Sequence, residues 1–373
     1  MIRSLSLILS VLDVLHGLIH LMGFVAYWPL ANLPDLPYKT SRLSGRLELG
    51  AAGMRLFSLL WLLAALGWVI AGALLAFGRP AWAPLMLGAA VLSLVICMLD
   101  WGVAFRGALI DLGFLLVLLV VFGLRVQPAP LPNYTAGPAH PVETAPIPEG
   151  LPEPVERFYR LTYPKGRIPV YHSAVISGRG TLRVMGITFP SRYRFVHRSG
   201  YDYRHYFEST FYGFPILKVN EHFIDGHARM ELPFGVTEND PLVDSAANQG
   251  LWAEMSIYPA AYLTDARVRW EAVDDRTARL YVPWQSGEQV FTVHFDPQSG
   301  RMLRMETLRN RDAKSGLIQW TAGSMILPAQ NGRPAKELQT ATWVDEGTPW
   351  LIMETEAAVY NTDIADYIRQ TGP

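Results

Sequence analysis

Cysteine is almost missing from this 373-residue chain: the single one, Cys97, sits inside an apolar run, which rules out a disulfide framework and a thiolate metal cluster. Charge is scarce as well, at 17% of residues, and a net charge of -1 leaves no basic field of the kind that draws nucleic acid. Catalytic signatures are also missing. The sequence has no G-x-S-x-G elbow, no H-E-x-x-H, no Walker A motif and no glycine-rich dinucleotide fingerprint behind a strand, so no residue is nominated as catalytic.

What the chain has in quantity is long apolar runs. Ser4 to Tyr27, Leu56 to Phe77, Ala81 to Leu99 and Gly107 to Leu124 each approach the about 20 residues that a bilayer crossing needs. The first run ends at Tyr27-Trp28-Pro29 without a small-residue exit, so it reads as a retained span and not as a cleaved leader, although Arg3 precedes it. Tyr27, Trp28, Trp82 and Trp101 stand at run ends as interfacial anchors, and Gly78-Arg79-Pro80 forces a hairpin between the second and third runs. Lys39, Arg42, Arg46, Arg55 and Arg106 fall on one side, against Arg3, Arg79 and Arg125 on the other. This bias puts the first loop inside and the C-terminal part outside a bacterial inner (cytoplasmic) membrane.

Ionisable residues inside such runs need partners. At 100° per residue Asp13, His16 and His20 lie within about 60° on one helix face. Together with Glu48, Arg55, Asp100, Arg106 and Asp111 they form an expected intramembrane polar network. Its plain role is a lock, with His16 or His20 on Asp111 and Arg55 on Glu48 or Asp100. Its chemical role would be a proton relay, a quinone pocket, or a haem or metal site on His16 and His20. No cofactor is expected from the sequence, because the third and fourth ligands of a metal are not apparent. Gly17 and Gly23 read as points of close helix approach.

Residues 127–154 are dense in proline and alanine, which favours an extended spacer between a membrane part, 1–126, and a soluble part, 155–373. After a short helix near Pro154 to Leu161 the pattern alternates as strands. These run over Tyr171 to Val184, Thr188 to His197, Tyr201 to Thr210, Pro215 to Ile224 and Ala228 to Leu232. They resume at Val268 to Val273, Ala278 to Trp284, Glu288 to Phe295, Arg301 to Leu308, Leu317 to Leu327, Leu338 to Asp345 and Trp350 to Tyr360. Between the two sets Asp240 can cap a helix that runs to Leu263 with Pro241 in its first turn. A long antiparallel meander with one inserted helix implies a curved sheet or half-barrel wrapped around that helix. Trp252, Glu254, Met255, Tyr258 and Trp270 are the expected ligand or partner face, and Glu254 is the acid most worth testing, its plain role being a salt bridge to Arg192, Arg194, Arg267 or Arg269. His172, His197, His205, His222, His227 and His294 look singly scattered; only His222 and His227, with Glu221 or Asp225 around the Asp225-Gly226 turn, suggest a metal pair. Gly178-Arg-Gly180 reads as a bulge, and a short helix, Asp363 to Gln370, is expected to end the chain.

Five segments carry a family resemblance: His16-Gly-Leu-Ile-His20-Leu-Met-Gly23-Phe24, Leu251-Trp252-Ala-Glu254, Tyr258-Pro-Ala-Ala-Tyr-Leu263, Arg269-Trp270-Glu-Ala-Val-Asp-Asp275 and Phe295-Asp-Pro-Gln-Ser-Gly300-Arg-Met-Leu. They resemble a bacterial membrane-protein family that bears only a domain-of-unknown-function label, and the soluble part looks like lipoprotein-carrier β domains. The resemblance implies a four-helix transmembrane bundle plus a mainly antiparallel β domain, with no established activity. The functional expectation is a non-enzymatic membrane protein, surrounded by membrane lipids, whose β domain binds a lipid-like ligand or a protein partner. The alternatives are an accessory subunit of a membrane complex and a membrane redox or metal protein using His16 and His20.

Overall fold

The computed structural model describes residues 2–134, 142–312, 314–329 and 334–373, with backbone only for 2–5. They fall into two compact units, Met1–Gly123 and Leu124–Pro373. The part of the proline-rich segment over 135–141 lies outside the described residues, as does the side chain of Arg3.

The first unit contains α1 (Ile2–Tyr27), a small hairpin of β1 (Ser41–Arg42) and β2 (Leu47–Glu48), then α2 (Gly50–Ala76), α3 (Trp82–Leu99) and α4 (Trp101–Gly123). All four helices are long and apolar enough to cross a membrane. Their burial is inverted relative to a water-soluble bundle. On α1 the leucines Leu7, Leu12 and Leu15 face outward while Asp13, His16 and His20 are buried. That is the arrangement hydrocarbon selects, because apolar side chains lose nothing by facing lipid and ionisable ones must find protein partners. Glycines let α1 reach α2: a Cβ on Gly23 would stand 2.2 Å from the Trp61 ring, and one on Gly17 would meet the Ala65 carbonyl at 2.9 Å.

The second unit opens with β3 (Thr144–Pro146), α5 (Glu153–Thr162) and β4 (Arg167–Pro169), β3 and β4 pairing on their own. Six strands follow: β5 (Ser173–Val184), β6 (Ile187–Arg198), β7 (Asp202–Phe211), β8 (Phe214–Ile224), β9 (His227–Leu232) and β10 (Gly235–Glu238). The chain then runs through α6 (Pro241–Glu254), a 3-10 turn over Met255–Ile257, and α7 (Ala261–Thr264). Seven more strands complete it: β11 (Arg269–Ala272), β12 (Thr277–Trp284), β13 (Gly287–Phe295), β14 (Met302–Asn310), β15 (Leu317–Leu327), β16 (Lys336–Trp343) and β17 (Leu351–Tyr360). Asp240 caps α6 as its position promises, its carboxylate accepting from the amides of Leu242 and Val243.

These strands form one antiparallel 13-stranded sheet in the order β10-β9-β8-β7-β6-β5-β17-β16-β15-β14-β13-β12-β11. The expected single meander is therefore two meanders joined where β5 pairs with β17, and α6 connects the two edge strands. The sheet curves around that helix without closing: α6 touches β8 and β9 toward one edge and β12 and β14 toward the other. Phe223 of β8 and Trp284 of β12, far apart in strand order, come within 6.4 Å between ring centroids. The core on the concave side is built from Leu251 and Trp252 of α6 and Met255 of the 3-10 turn against Phe195, Phe291, Phe295 and Trp320 of the sheet.

At the β5–β17 seam the glycines serve close approach. A Cβ on Gly178 or Gly180 would fall 1.9 Å from the carbonyl oxygen of Glu354 or Ile352, and the register shift lies in the partner strand, between Thr355 and Ala357. The helix expected over Asp363 to Gln370 is replaced by a 3-10 turn, Tyr367–Arg369. The tail is held by tertiary bonds instead: the Gly372 amide donates to Asn220 at 2.8 Å and the Arg204 guanidinium to the Gly372 carbonyl, while Ile364 and Ile368 pack on Val175 and Val196. The start of the proline-rich segment is also seated on this unit rather than standing free, its carbonyls at Pro128, Ala129 and Pro132 accepting from Arg179, Arg192 and Arg194.

A charged cluster at the end of an apolar cavity

Strand alternation and register set out the site row by row. In the β6–β7–β8 ladder Phe195 lies opposite His205 and His205 opposite Glu221; the next row is His197, Tyr203 and Phe223. Residues two apart share a face, so all of them point to the concave side. Phe195 and Tyr203 hold the His205 ring between them, each with a centroid distance of 4.0 Å.

Glu254 meets this row from above. It is the last residue of α6, where a carboxylate faces the negative end of the helix dipole and needs donors. Two imidazoles supply them: His197 Nε2 donates to Glu254 Oε2 at 2.9 Å and His205 Nε2 donates to the same oxygen at 2.8 Å. The Tyr258 hydroxyl lies 2.9 Å from His197 Nδ1 and donates to it, which fixes a neutral tautomer. On the other side His205 Nδ1 faces Glu221 Oε2 at 3.7 Å, and the Tyr203 hydroxyl donates to Glu221.

Burial works against a charged His205, but Glu254 and Glu221 outweigh it and hold its pKa up at about 9. Burial pushes the Glu254 carboxyl up, and His205 and His197 overcome that to hold it down at about 2. Glu221 also ends below the usual carboxylate range, with His205 overcoming burial. His197, fully enclosed, is lowered by burial despite Glu254. The row at neutral pH is therefore Glu221 anion, His205 cation, Glu254 anion and neutral His197. The ligand atoms of His197, His205 and Glu254 lie within 4.8 Å of one another and have the chemistry of a metal set, but both imidazoles already bond to the Glu254 carboxylate through Nε2.

A cavity of ≈ 240 Å³ opens on this row. Its walls are Leu182, Phe207, Val219, Ile257, Trp320 and Met353, with His205, Glu221, Glu254 and Arg309 as its charged lining. A second volume of ≈ 570 Å³ adjoins it and shares Glu221, Met230, Leu232, Arg309 and Trp350. Arg309 stands at the junction, its guanidinium 4.5 Å from the Trp320 ring centroid and 5.9 Å from that of Trp343. Its pKa is lowered by burial, and among the described residues its buried Nε has no acceptor.

The helical unit carries a second cluster. His16 Nε2 lies 2.8 Å from Asp111 Oδ1, Ser93 Oγ lies 2.7 Å from both Asp111 oxygens, and His20 Nε2 lies 2.5 Å from Ser93 Oγ. His20 Nδ1 donates to the His16 carbonyl at 2.9 Å. Asp13 is wholly buried and, among the described residues, neither of its oxygens has a hydrogen-bond partner.

The other expected residues are placed as follows. His16 meets Asp111, one of the pairings expected of the lock, but Arg55 and Glu48 are exposed and stay out of the network; Arg55 lies on an outward face of α2, which begins at Gly50. Arg42 takes that part, 3.7 Å from Asp100, which also accepts from the Tyr27 hydroxyl. Arg106 is exposed near Phe105. In the β unit, Glu254 reaches the cavity and is bonded by histidines, not by the arginines expected. Trp252, Met255 and Tyr258 are buried in the core and present no partner face, and Trp270 packs beside them. His222 sits opposite Arg229, and His227 opposite Ile224, so the hairpin brings no histidine pair together. His197, His205 and Arg309 were missed. The hairpin turning at Gly200 contained the signal, since centring it there pairs Phe195 with His205.

A family model for a family of unknown function, DUF6544, matches residues 141–354. The chain belongs to DUF6544. The matched stretch holds the whole imidazole–carboxylate row and Arg309, and it leaves out the helical unit. The chain is also similar to two solved structures. One is a proposed outer membrane lipoprotein-sorting protein domain from Vibrio parahaemolyticus, at 12% identity over 58% of this chain and 94% of that one, with a TM-score of 0.32. The other is a DUF1329 family protein from Desulfovibrio piger, at 12% identity over 57% and 94%, with a TM-score of 0.30. No curated protein matches the chain.

Proposed function

We propose that the second unit is a binding domain for a lipid-like amphiphile whose head presents an acceptor oxygen, a carboxylate or a phosphate, to Arg309. The observation that carries this reading is an arginine with a buried, unpartnered Nε between two cavities with apolar walls. A buried donor without an acceptor is costly, and a guanidinium is the side chain best shaped to receive a planar or tetrahedral anion. The size of the space sets the ligand class. Most of the concave side is filled by α6 and its aromatic partners, so the volume left suits a single apolar chain and not a bundle of acyl chains. The helical unit holds the domain at a bacterial inner membrane, with the domain on the extracytoplasmic side favoured by the excess of Lys and Arg in the first and third loops.

The test is native mass spectrometry of the full-length protein in mild detergent, followed by organic extraction and by titration with a long-chain fatty acid and a lysophospholipid. Trp320 and Trp350 line the cavity and give a fluorescence readout. Stoichiometric binding that Arg309→Met weakens, and that Ala322→Phe blocks by filling the cavity, supports the reading. Binding that both variants leave unchanged sinks it. Reporter fusions after Pro373 test the side of the membrane.

A further inference from the structure

We propose that the helical unit binds one divalent transition-metal ion through His16 Nε2, His20 Nε2 and Asp111, beside Ser93. The three donor groups come from α1 and α4, are all buried, and lie within 4.8 Å of one another.

The hydrogen-bond inventory shows why protons alone serve this cluster badly. Four contacts need a proton each: His16 Nε2 to Asp111, Ser93 to Asp111, His20 Nε2 to Ser93, and His20 Nδ1 to the His16 carbonyl. The last one fixes the His20 proton on Nδ1, since a carbonyl can only accept. Neutral His20 then offers a bare Nε2 to Ser93, and the single serine proton cannot serve both His20 and Asp111. Two neutral imidazoles, one serine and one carboxylate are one positive charge short.

Two further buried acceptors stand on α1. With His16 donating through Nε2, its Nδ1 is an acceptor, and Asp13, one turn earlier on the same helix, is an acceptor too. Both are buried, and among the described residues neither has a partner. If Nε2 of His16 instead binds a cation, its proton moves to Nδ1, which removes one of these two bare acceptors and keeps the ring neutral. The same cation takes the bare Nε2 of His20, whose ring is already oriented by the carbonyl bond, in the manner of an outer-shell contact on a metal ligand. Charge agrees: the two buried carboxylates, Asp13 and Asp111, sum to the charge that one divalent ion balances, and neutrality matters most in hydrocarbon. Imidazole with carboxylate suits zinc, iron, nickel or copper and not calcium or magnesium.

The experiment is to strip full-length protein in mild detergent with a chelator, titrate it with Co²⁺, read the visible d–d bands, and displace them with Zn²⁺. One equivalent of Co²⁺ is expected, with the bands lost in His20→Gln and in Asp111→Asn and retained in His205→Gln. Asp13→Asn removes one of the two buried carboxylates that balance the ion and should weaken uptake. The titration of the unmodified chain needs no variant to fold. Failure of the stripped, monodisperse and helical protein to take up an equivalent of Co²⁺ or Zn²⁺ overturns the proposal and leaves two protons as the balancing charge. Loss of the bands in His205→Gln, with His20→Gln intact, overturns it in favour of the other histidine cluster.

Discussion

Glu254→Gln is the sharpest test of the charged row, because it removes one charge and keeps the shape. In the wild type the carboxylate is the acceptor for two imidazoles and the chief reason that His205 is held at about 9 against an ordinary 6.5. Each tenfold in proton affinity is about 1.36 kcal/mol, so the protonated row contributes roughly 3 kcal/mol of folding stability. The shift of Glu254 reports the same pairing and is not added to it. The sign follows from the direction of each shift. His205 is raised, so its contribution is complete below about pH 6.5 and disappears as pH rises through about 9. Glu254 is depressed, so its contribution is present above about 4.5 and disappears as pH falls toward 2. His197 is lowered, so stability falls as pH drops below 6.5 toward its folded value. Glu254→Gln should therefore lose roughly 3 kcal/mol near pH 6.5 and only about 1 kcal/mol at pH 10, where the wild-type His205 has already given up its proton and neutral hydrogen bonds remain. Pulse proteolysis in urea on the full-length protein in detergent, with a C-terminal tag to follow the β unit, reads the two midpoints at each pH. A gap between variant and wild type that is the same at both pH values would refute a charged His205, and with it the account of the row.

Other perturbations separate packing from binding. Arg309→Met should weaken fatty-acid binding and shift the urea midpoint of the β unit little, because the buried Nε gives up no acceptor and an apolar chain can keep the packing on Trp320. Trp252→Ala removes a wholly buried side chain at the centre of the concave core and should cost about 3–5 kcal/mol by the same assay. Gly178→Val drives a side chain into the Glu354 carbonyl across the β5–β17 seam, and limited proteolysis should then cut within those two strands in native buffer. Gly23→Leu puts its side chain into the Trp61 ring and should lower the melting temperature of the helical unit, read by circular dichroism in detergent.

Local rules carried much of this fold because they concern neighbours. The turn at Asp225-Gly226, the cap at Asp240 and the alternation in each strand are decided within a few residues, and the strand limits follow them closely. The pairing of β5 with β17 is not local: the partners are separated by nearly the whole domain, and only the two glycines that let the carbonyls of Glu354 and Ile352 approach record it. The closing helix failed for a similar reason, since the tail just beyond it is held at Gly372 by Asn220 and Arg204, which no helical pattern contains.

The two clusters show the same division in their chemistry. Asp13, His16 and His20 share a face because one helix repeats, so the stripe is visible in the sequence; Asp111 joins it from α4, and Ser93 from α3, only through packing. In the β unit no stripe exists, because a strand shows only every second residue and splits a site among its neighbours. His197, His205 and Glu221 look isolated until the ladder sets them side by side, and Glu254 lies 49 residues from His205 in the chain. A charged row of this kind is stabilised only when every member is present, since Glu254 needs both imidazoles and His205 needs both carboxylates. The same mutual dependence makes it a fixed floor for the cavity. Its two imidazoles already have their acceptors, its surplus negative charge faces Arg309, and the buried Nε of Arg309 is left as the donor without an acceptor for a ligand's head.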